Sequence, residues 1–388
     1  MNNQLNSQTD KTDVKIYDNW DDLELSEGLT RGIFAYGFEN PTPIQGRAIA
    51  PIIAKRDIIG QAQSGSGKTG SFAIGTLERI DLTQKTTQAL ILAPTQQLAM
   101  QIVKVFKALS NYMDGLVIKT LVGGTSVADD ANELRSNIPH IIIGTAGRVY
   151  DMMKRRNFDC GTIKLFVMDE ADEMLSMGFK KELDEILGML KNVRAKWLFS
   201  ATMPTGIKQI VNTHLSPDAK KLEVSKDVVN KKIEHLYVVC DDPDKLHVLL
   251  QFLKSEHKNR GLIFCKTKKA TILLAQQLEA KNVSSGAIHG DLLQKERDKV
   301  MRAFKKENIR MLVATDIAAR GIDVADLSFV VHYEMPDKEE YYTHRSGRTA
   351  RAGKEGVSIC LVNSKELKSV RYFEKALGIS FRQVRAMK

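Results

Sequence analysis

"DIIGQAQSGSGKTGSFAIGTLERI" (57–80) divides into three parts. An apolar run, "DIIG", has strand character, a Gly/Ser-rich loop follows, and a helical pattern begins at the loop's far end. Gly67-Lys68-Thr69 fits the end of a phosphate-binding loop, whose usual form is Gly, four residues, then Gly-Lys-Ser/Thr. Here the first position holds Ala62. Gly65 and Gly67, with Ser66 between them, let the backbone curl until successive N–H groups face one anion. The helix start adds partial positive charge at the same place. Lys68 offers a point charge for the β- and γ-phosphates, and the Thr69 hydroxyl can hold Mg²⁺. Ala62 only begins the curl, so it does not exclude a nucleotide. A Gly/Ser turn that happens to end in Lys-Thr is the other reading of this loop taken alone.

Similar apolar runs recur on both sides. "ALILA" (89–93), "HIIIG" (140–144), "KLFVM" (164–168) and "KWLFS" (196–200) follow in the first half. "HLYVV" (235–239), "GLIFC" (261–265), "RMLVA" (310–314), "SFVVH" (328–332) and "VSICLV" (357–362) occupy the second. Each is continuously apolar rather than alternating, the pattern of parallel strands covered on both faces. Helical patterns lie between them, as at 96–109, 270–280 and 295–304. Strands alternating with helices predict doubly wound parallel α/β architecture, and two series predict two domains. We place these at 17–224 and 233–388, after a polar N-terminal tail over 1–16. They are joined by the polar, basic stretch "SKDVVNKK" (225–232). In such sheets ligands sit beyond the carboxyl ends of the strands.

The 388 residues suit two domains, and the net charge of +10 suits a polyanionic partner such as nucleic acid. Cys160, Cys240, Cys265 and Cys360 are scattered without metal-ligand spacing, as in a reduced, cytoplasmic chain. No apolar run reaches the length of roughly 20 residues that a membrane span needs, so no membrane partner is expected.

"KLFVMDEADEML" places Asp169-Glu170-Ala171-Asp172 at the end of an apolar strand. One carboxylate there can hold Mg²⁺ through water, and a neighbour can deprotonate an attacking water. An acidic helix start favoured by the dipole is the blander reading. Its pairing with a phosphate loop argues against that reading.

"DEAD" (169–172), the Ala-x-x-Gly-x-Gly-Lys-Thr loop (62–69) and "SAT" (200–202) together resemble the DEAD-box ATP-dependent RNA helicases, whose phosphate loop also begins with Ala. "GFENPTPIQ" (37–45), "ATDIAARGIDV" (314–324) and "HRSGRTARAG" (344–353) resemble further motifs of that family, and all stand in the family order. The wording is most similar to members acting in translation initiation.

The resemblance implies two tandem RecA-like domains that use ATP and Mg²⁺. Gln45 would read adenine, and Trp20 would stack on it. Lys68 and Thr69 would take phosphate and metal. Asp169 would hold the metal largely through water, and Glu170 would be the base. Arg348 and Arg351 would reach the phosphates from the second domain, with Asp323 beside the ribose. Ser200 and Thr202 would couple the nucleotide site to RNA through Asp172 and His344. Pro94, Thr95, Gln96, Gly123, Gly124, Thr145, Gly147, Arg148, Thr267, Arg297 and Thr315 would lie along the RNA backbone. Contacts of that kind carry no base information.

The chain departs from the family at several points. Gln96 and Gln97 replace an Arg and a Glu, Ala146 replaces a Pro, Lys266 stands where Asn is common, and Ala350 stands where Gly is usual. Two functions share these motifs. One is an RNA-stimulated ATPase that separates short duplexes by closing its domains on the RNA backbone. The other is an ATP-gated RNA clamp with little unwinding. A DNA helicase is a third, less similar class. A monomer that depends on scaffold proteins to stabilise its closed form is expected.

Overall fold

The computed structural model describes residues 17–61, 66–223, 232–256, 259–319, 327–350 and 354–385. It contains two seven-stranded sheets. The first holds β1 (Ile58–Gln61), β2 (Ala89–Ala93), β3 (Ile118–Leu121), β4 (Ile141–Thr145), β5 (Leu165–Met168), β6 (Ala195–Ser200) and β7 (Lys220–Glu223), in the order β3-β4-β2-β5-β6-β1-β7. The second holds β8 (Ile233–Val239), β9 (Gly261–Cys265), β10 (Ser285–Ile288), β11 (Met311–Thr315), β12 (Phe329–His332), β13 (Gly356–Val362) and β14 (Phe381–Gln383), in the order β10-β11-β9-β12-β13-β8-β14. Every pairing is parallel. Strand for strand the two orders are the same, so each half repeats one topology with different residues.

All ten apolar runs are strands. The four strands without such a run, β3, β7, β10 and β14, are the four sheet edges. An edge strand has a neighbour on one side only and is less covered by helices, so it tolerates "IKTL" and "KKLE" where central strands carry "ALILA" and "LFVM". In the central strands alternate residues enter opposite cores. Ile91, Ile143, Val167 and Trp197 pack with Phe72 and Phe106 on one face. Leu90, Leu92, Ile142, Phe166 and Leu198 pack with Met152 and Ile186 on the other. The second sheet is sandwiched in the same way.

The parallel topology repeats one local device. A threonine closes a strand and begins the next helix: Thr95 before Gln96–Leu109, Thr145 before Ala146–Lys154, and Thr267 before Lys268–Ala280. Thr95 and Thr267 accept from the N–H groups of Leu98 and Ala270, at 3.2 and 3.1 Å. Thr315 ends β11 and accepts from Ala318 N–H at 3.3 Å in the short helix Asp316–Ala319. These four helix starts share one side of the two sheets, because all strands run the same way.

The departure at Ala350 has a backbone consequence. Its φ is 55°, in the left-handed region that favours glycine, and its methyl group is buried. An L-residue there costs about 1–2 kcal/mol. Glycine would relieve that cost but forfeit about 0.5–1 kcal/mol of backbone entropy and about 0.8 kcal/mol of methyl burial. Ala350→Gly should therefore leave stability within about 1 kcal/mol of the parent. Ala350→Val, β-branched at positive φ, should cost about 2 kcal/mol or more. Denaturant unfolding of the two variants checks both values.

Candidate nucleotide and RNA site

Helix Lys68–Leu77 starts at Gly67, whose φ of 102° only glycine adopts readily. A Cβ on Gly67 would lie 2.4 Å from Thr42 Oγ1, and one on Gly70 would lie 2.3 Å from Gln45 Nε2. The two glycines thus let the segment carrying "GFENPTPIQ" press against the helix start. Gln45 is 1 % exposed and is held there from both ends. Its Oε1 accepts from Thr42 N–H at 2.8 Å, and its Nε2 donates to Gly67 O at 3.3 Å. Gln45 therefore ties the loop in place through its own amide.

Trp20 is a correction to its expected role. It is 1 % exposed, with its indole N–H donating to Phe38 O at 3.0 Å, so it has no ring face free for a base. Phe38 stacks on it at 6.2 Å between centroids and is itself only half-buried. Phe38 is the ring left facing the neighbourhood of Gln45. The sequence signal was the adjacent Phe within "GFENPTPIQ", which reads equally well as a packing residue.

Lys68 is buried, yet among the described residues its Nζ has no hydrogen-bond partner. A buried ammonium without a partner is costly, so this atom is arranged for a ligand anion. Asp169, at the end of β5, is 2 % exposed. Burial pushes its carboxyl up to about 7, against the attraction of Lys68 and with the repulsion of Glu170 and Asp172. Such a carboxylate is favoured in its charged form by added positive charge, as a divalent cation would provide. Glu170 follows with φ 51°. A non-glycine residue in that region stores strain, and here it lies at the carboxyl end of a central strand. Thr69 is half-buried beside Lys68.

Asp172 lies one residue into helix Ala171–Ser176. Its Oδ2 accepts from Thr202 N–H at 2.9 Å and Thr202 Oγ1 at 2.6 Å. Ser200 Oγ accepts from Asp172 N–H at 3.3 Å and donates to Thr202 O at 2.8 Å. His344, from helix Glu339–Ser346 of the second half, reaches the same carboxylate with Nε2 at 3.5 Å. Its Nδ1 lies 2.9 Å from Glu173 Oε1. Glu173 is a partner that the motif reading did not single out. Burial alone would raise Asp172, but its bonds from His344, Thr202 and Ser200 hold it well below the ordinary carboxylate range. Burial alone would lower His344, but the two carboxylates outweigh it and hold the imidazole up at about 10.

Arg348 is buried, and it lines the seam between the halves together with Glu173 and His344. Arg345, 1 % exposed, is structural: it grips Asp316 at 2.5 and 2.7 Å and donates to Glu334 O at 2.8 Å. Gly65, Asp323 and Arg351 lie outside the described residues.

Two arginines expected along RNA have protein partners instead. Arg148 donates to Thr125 Oγ1 at 2.7 Å and Thr125 O at 2.8 Å, and it pairs with Asp130, so it braces the loop carrying Gly123 and Gly124. Arg297 donates to Ala318 O at 2.6 Å and, across the seam, to Gln97 Oε1 at 3.0 Å. Gln97 thus joins the two halves, a role invisible while the halves were separate stretches of sequence. Pro94 is buried, and Gln96 begins its helix half-buried. Gly123, Gly124 and Gly147 leave open backbone at the strand ends.

A strand-end phosphate loop, a strained acidic pair and a second half that closes on them define an α/β nucleotide-dependent enzyme of two repeated domains. Residues 42–210 match the DEAD/DEAH box helicase family, and residues 244–353 match the helicase conserved C-terminal domain. The ATP-dependent RNA helicase eIF4A of Scheffersomyces stipitis is 41% identical over 364 residues, covering 92% of this chain and 91% of that one. Dbp5 of S. cerevisiae bound to RNA and ADP BeF3 superposes with a TM-score of 0.85 at 31% identity, over 95% of this chain and 96% of that one. A Dbp5 variant bound to Nup159, a Gle1 variant, IP6 and ADP gives a TM-score of 0.64 at 30% identity, over 94% and 96%. The chain belongs to the DEAD-box family: it is an ATP-dependent RNA helicase, an ATP-hydrolysing enzyme, with eIF4A among its relatives.

Gln97→Glu should place a carboxylate on Arg297 and turn an interdomain bond between a guanidinium and a neutral amide into an ion pair. A gain of about 1 kcal/mol would tighten RNA binding with a nonhydrolysable ATP analogue about fivefold. Gln97→Ala should weaken it. Fluorescence anisotropy titrations of a labelled single strand measure both.

Proposed function

We propose that this helicase separates short RNA duplexes locally, by ATP-driven closure of its two halves on the RNA backbone. The observation that carries this reading is the seam. His344 reaches Asp172 and Glu173, and Arg297 reaches Gln97. The higher similarity to the RNA- and ADP BeF3-bound form of Dbp5 supports a closed arrangement. In this reading Phe38 takes the adenine ring while Gln45 reads its edge. Gly65, Ser66 and Gly67 direct backbone N–H groups at the phosphates, and Lys68 meets them with its unpartnered ammonium. Thr69 and Asp169 would hold Mg²⁺, which supplies charge that favours the phosphate's leaving oxygens. Glu170 accepts the attacking water's proton, and Arg348 and Arg351 face the phosphates from the second half, with Asp323 near the ribose.

RNA would lie across the helix starts at Thr95, Thr145, Thr267 and Thr315, whose unpaired N–H groups suit backbone phosphates. Pro94, Gln96, Gly123, Gly124 and Gly147 lie in the same strand-end positions. Arg148 and Arg297 act from behind, bracing the loop and the seam. Because ATP and RNA each touch both halves, each favours the closed form in which the other binds. The charge of +10 assists the approach of RNA.

Glu170→Gln should keep nucleotide binding and lose most turnover, since an amide cannot accept the proton. Phe38→Ala should instead raise the KM for ATP with a smaller effect on kcat. The deciding measurement is ATPase activity with RNA, with DNA and with neither, beside strand separation of a short RNA duplex. Stimulation by RNA with separation is expected. Stimulation without separation would leave the clamp, and equal stimulation by DNA would overturn the RNA reading.

A further inference from the structure

Asp172 and Glu173 are consecutive, buried, and offered by the same short helix to one imidazole of the opposite half. Each carboxylate is also fixed within its own half. Thr202 holds Asp172, and Ser176 Oγ donates to Glu173 Oε2 at 3.0 Å. The acceptors therefore stand ready before the second half arrives. His344 faces them with both ring nitrogens, Nδ1 at 2.9 Å and Nε2 at 3.5 Å. A neutral imidazole has one N–H and can donate to only one of them, whereas imidazolium donates to both.

Lys338 and Tyr341 line the cavity beside the His344 ring, together with Leu175, Pro204 and Gly206. Arg345, Arg348 and Asp316 line a second cavity beside it, and Arg345 and Asp316 bind each other. Among the described residues, Asp172 and Glu173 are the two carboxylates that reach the ring nitrogens.

We infer that Glu173 is a positioning residue for closure: it fixes His344 as imidazolium against Asp172, so the halves close with uptake of one proton. The inference rests on the closure reading above. In separated halves His344 faces water and titrates near its ordinary value of about 6.5. In the closed form the two carboxylates hold it higher. A raised value means that the contribution is complete below about 6.5 and declines as pH rises towards the closed-form value of about 10. Across that window one proton changes the closing equilibrium by up to about tenfold per pH unit. A neutral residue in place of Glu173 removes one of the two charges that create the window.

The test uses the full chain, a nonhydrolysable ATP analogue and a labelled single-stranded RNA, with affinity measured from pH 6 to pH 9. The unmodified protein should lose RNA affinity as pH rises. Glu173→Gln keeps an oxygen acceptor for Nδ1 but not its charge. It should bind RNA roughly tenfold more weakly at pH 8, the scale of one hydrogen bond to a charged group. Its decline should begin at the same pH, near 6.5, but level off at lower pH, because only the closed-form value falls. His344→Asn should show no such decline above pH 6.5. Titration of the nucleotide's phosphate is common to all three proteins and cancels in the comparison. Thermal unfolding without RNA should be alike for the parent and Glu173→Gln, which separates closure from folding. A Glu173→Gln profile that superposes on the parent's would overturn the inference, as would an undiminished slope in His344→Asn. If the parent shows no analogue-dependent RNA binding at any pH, the closure reading fails, and this inference with it.

Discussion

Every strand in both sheets runs the same way as its neighbours, and the rest of the site depends on that constraint. A parallel sheet returns through a helix after each strand, so each strand's carboxyl end meets a helix start on one side of the sheet. The loop before Lys68, the acidic pair after β5, Ser200 at the end of β6 and the capping threonines therefore share one edge. The same order of strands in the second half makes an equivalent edge there. Two edges carrying helix starts and unpaired N–H groups can grip a polyanion between them, provided something holds them face to face.

Among the described residues, polar contacts take that role. His344 sits between two carboxylates, and Arg297 bonds to Gln97. Contacts of this kind are directional and easily exchanged for water. The interior of each half is different. Its sheet is packed on both faces by buried side chains, so each half is a close-packed body. Within the second half, Tyr342 and Ser346 bond to His235, Ser358 and His332 in the core and anchor the helix that presents His344 and Arg348. Burial lowers both His235, on β8, and His332, on β12, so that network is held by neutral rings, in contrast to the charged His344 on the helix they anchor.

Legibility followed packing environment. Central strands were readable because burial on both faces demands an uninterrupted apolar run. The edge strands β3, β7, β10 and β14 were not, because a half-covered strand has no composition of its own. In the site, residues whose chemistry is fixed by a local pattern stood out: Lys68 and Thr69 after two glycines, Asp169 and Glu170 after an apolar run. Residues whose part depends on a distant partner did not. Trp20 and Phe38 are both aromatic, and only packing shows that the first is covered and the second faces outward. Arg148 and Arg297 were expected along the RNA backbone only through the family resemblance of their motifs. Their partners Asp130, Thr125 and Gln97 come into view only in the fold.

By itself the sequence determined the class of fold, the number of sheets, the phosphate loop and the acidic strand end. Each follows from neighbours along the chain: hydrophobic periodicity, glycines at a turn, a charge at a strand terminus. Only the tertiary structure decided which groups meet across the seam, which aromatic ring remains open beside Gln45, and that Glu173 shares His344 with Asp172. These are relations between residues far apart in the chain. They arise when burial removes the competing water and leaves each polar group to the partner that packing brings within reach.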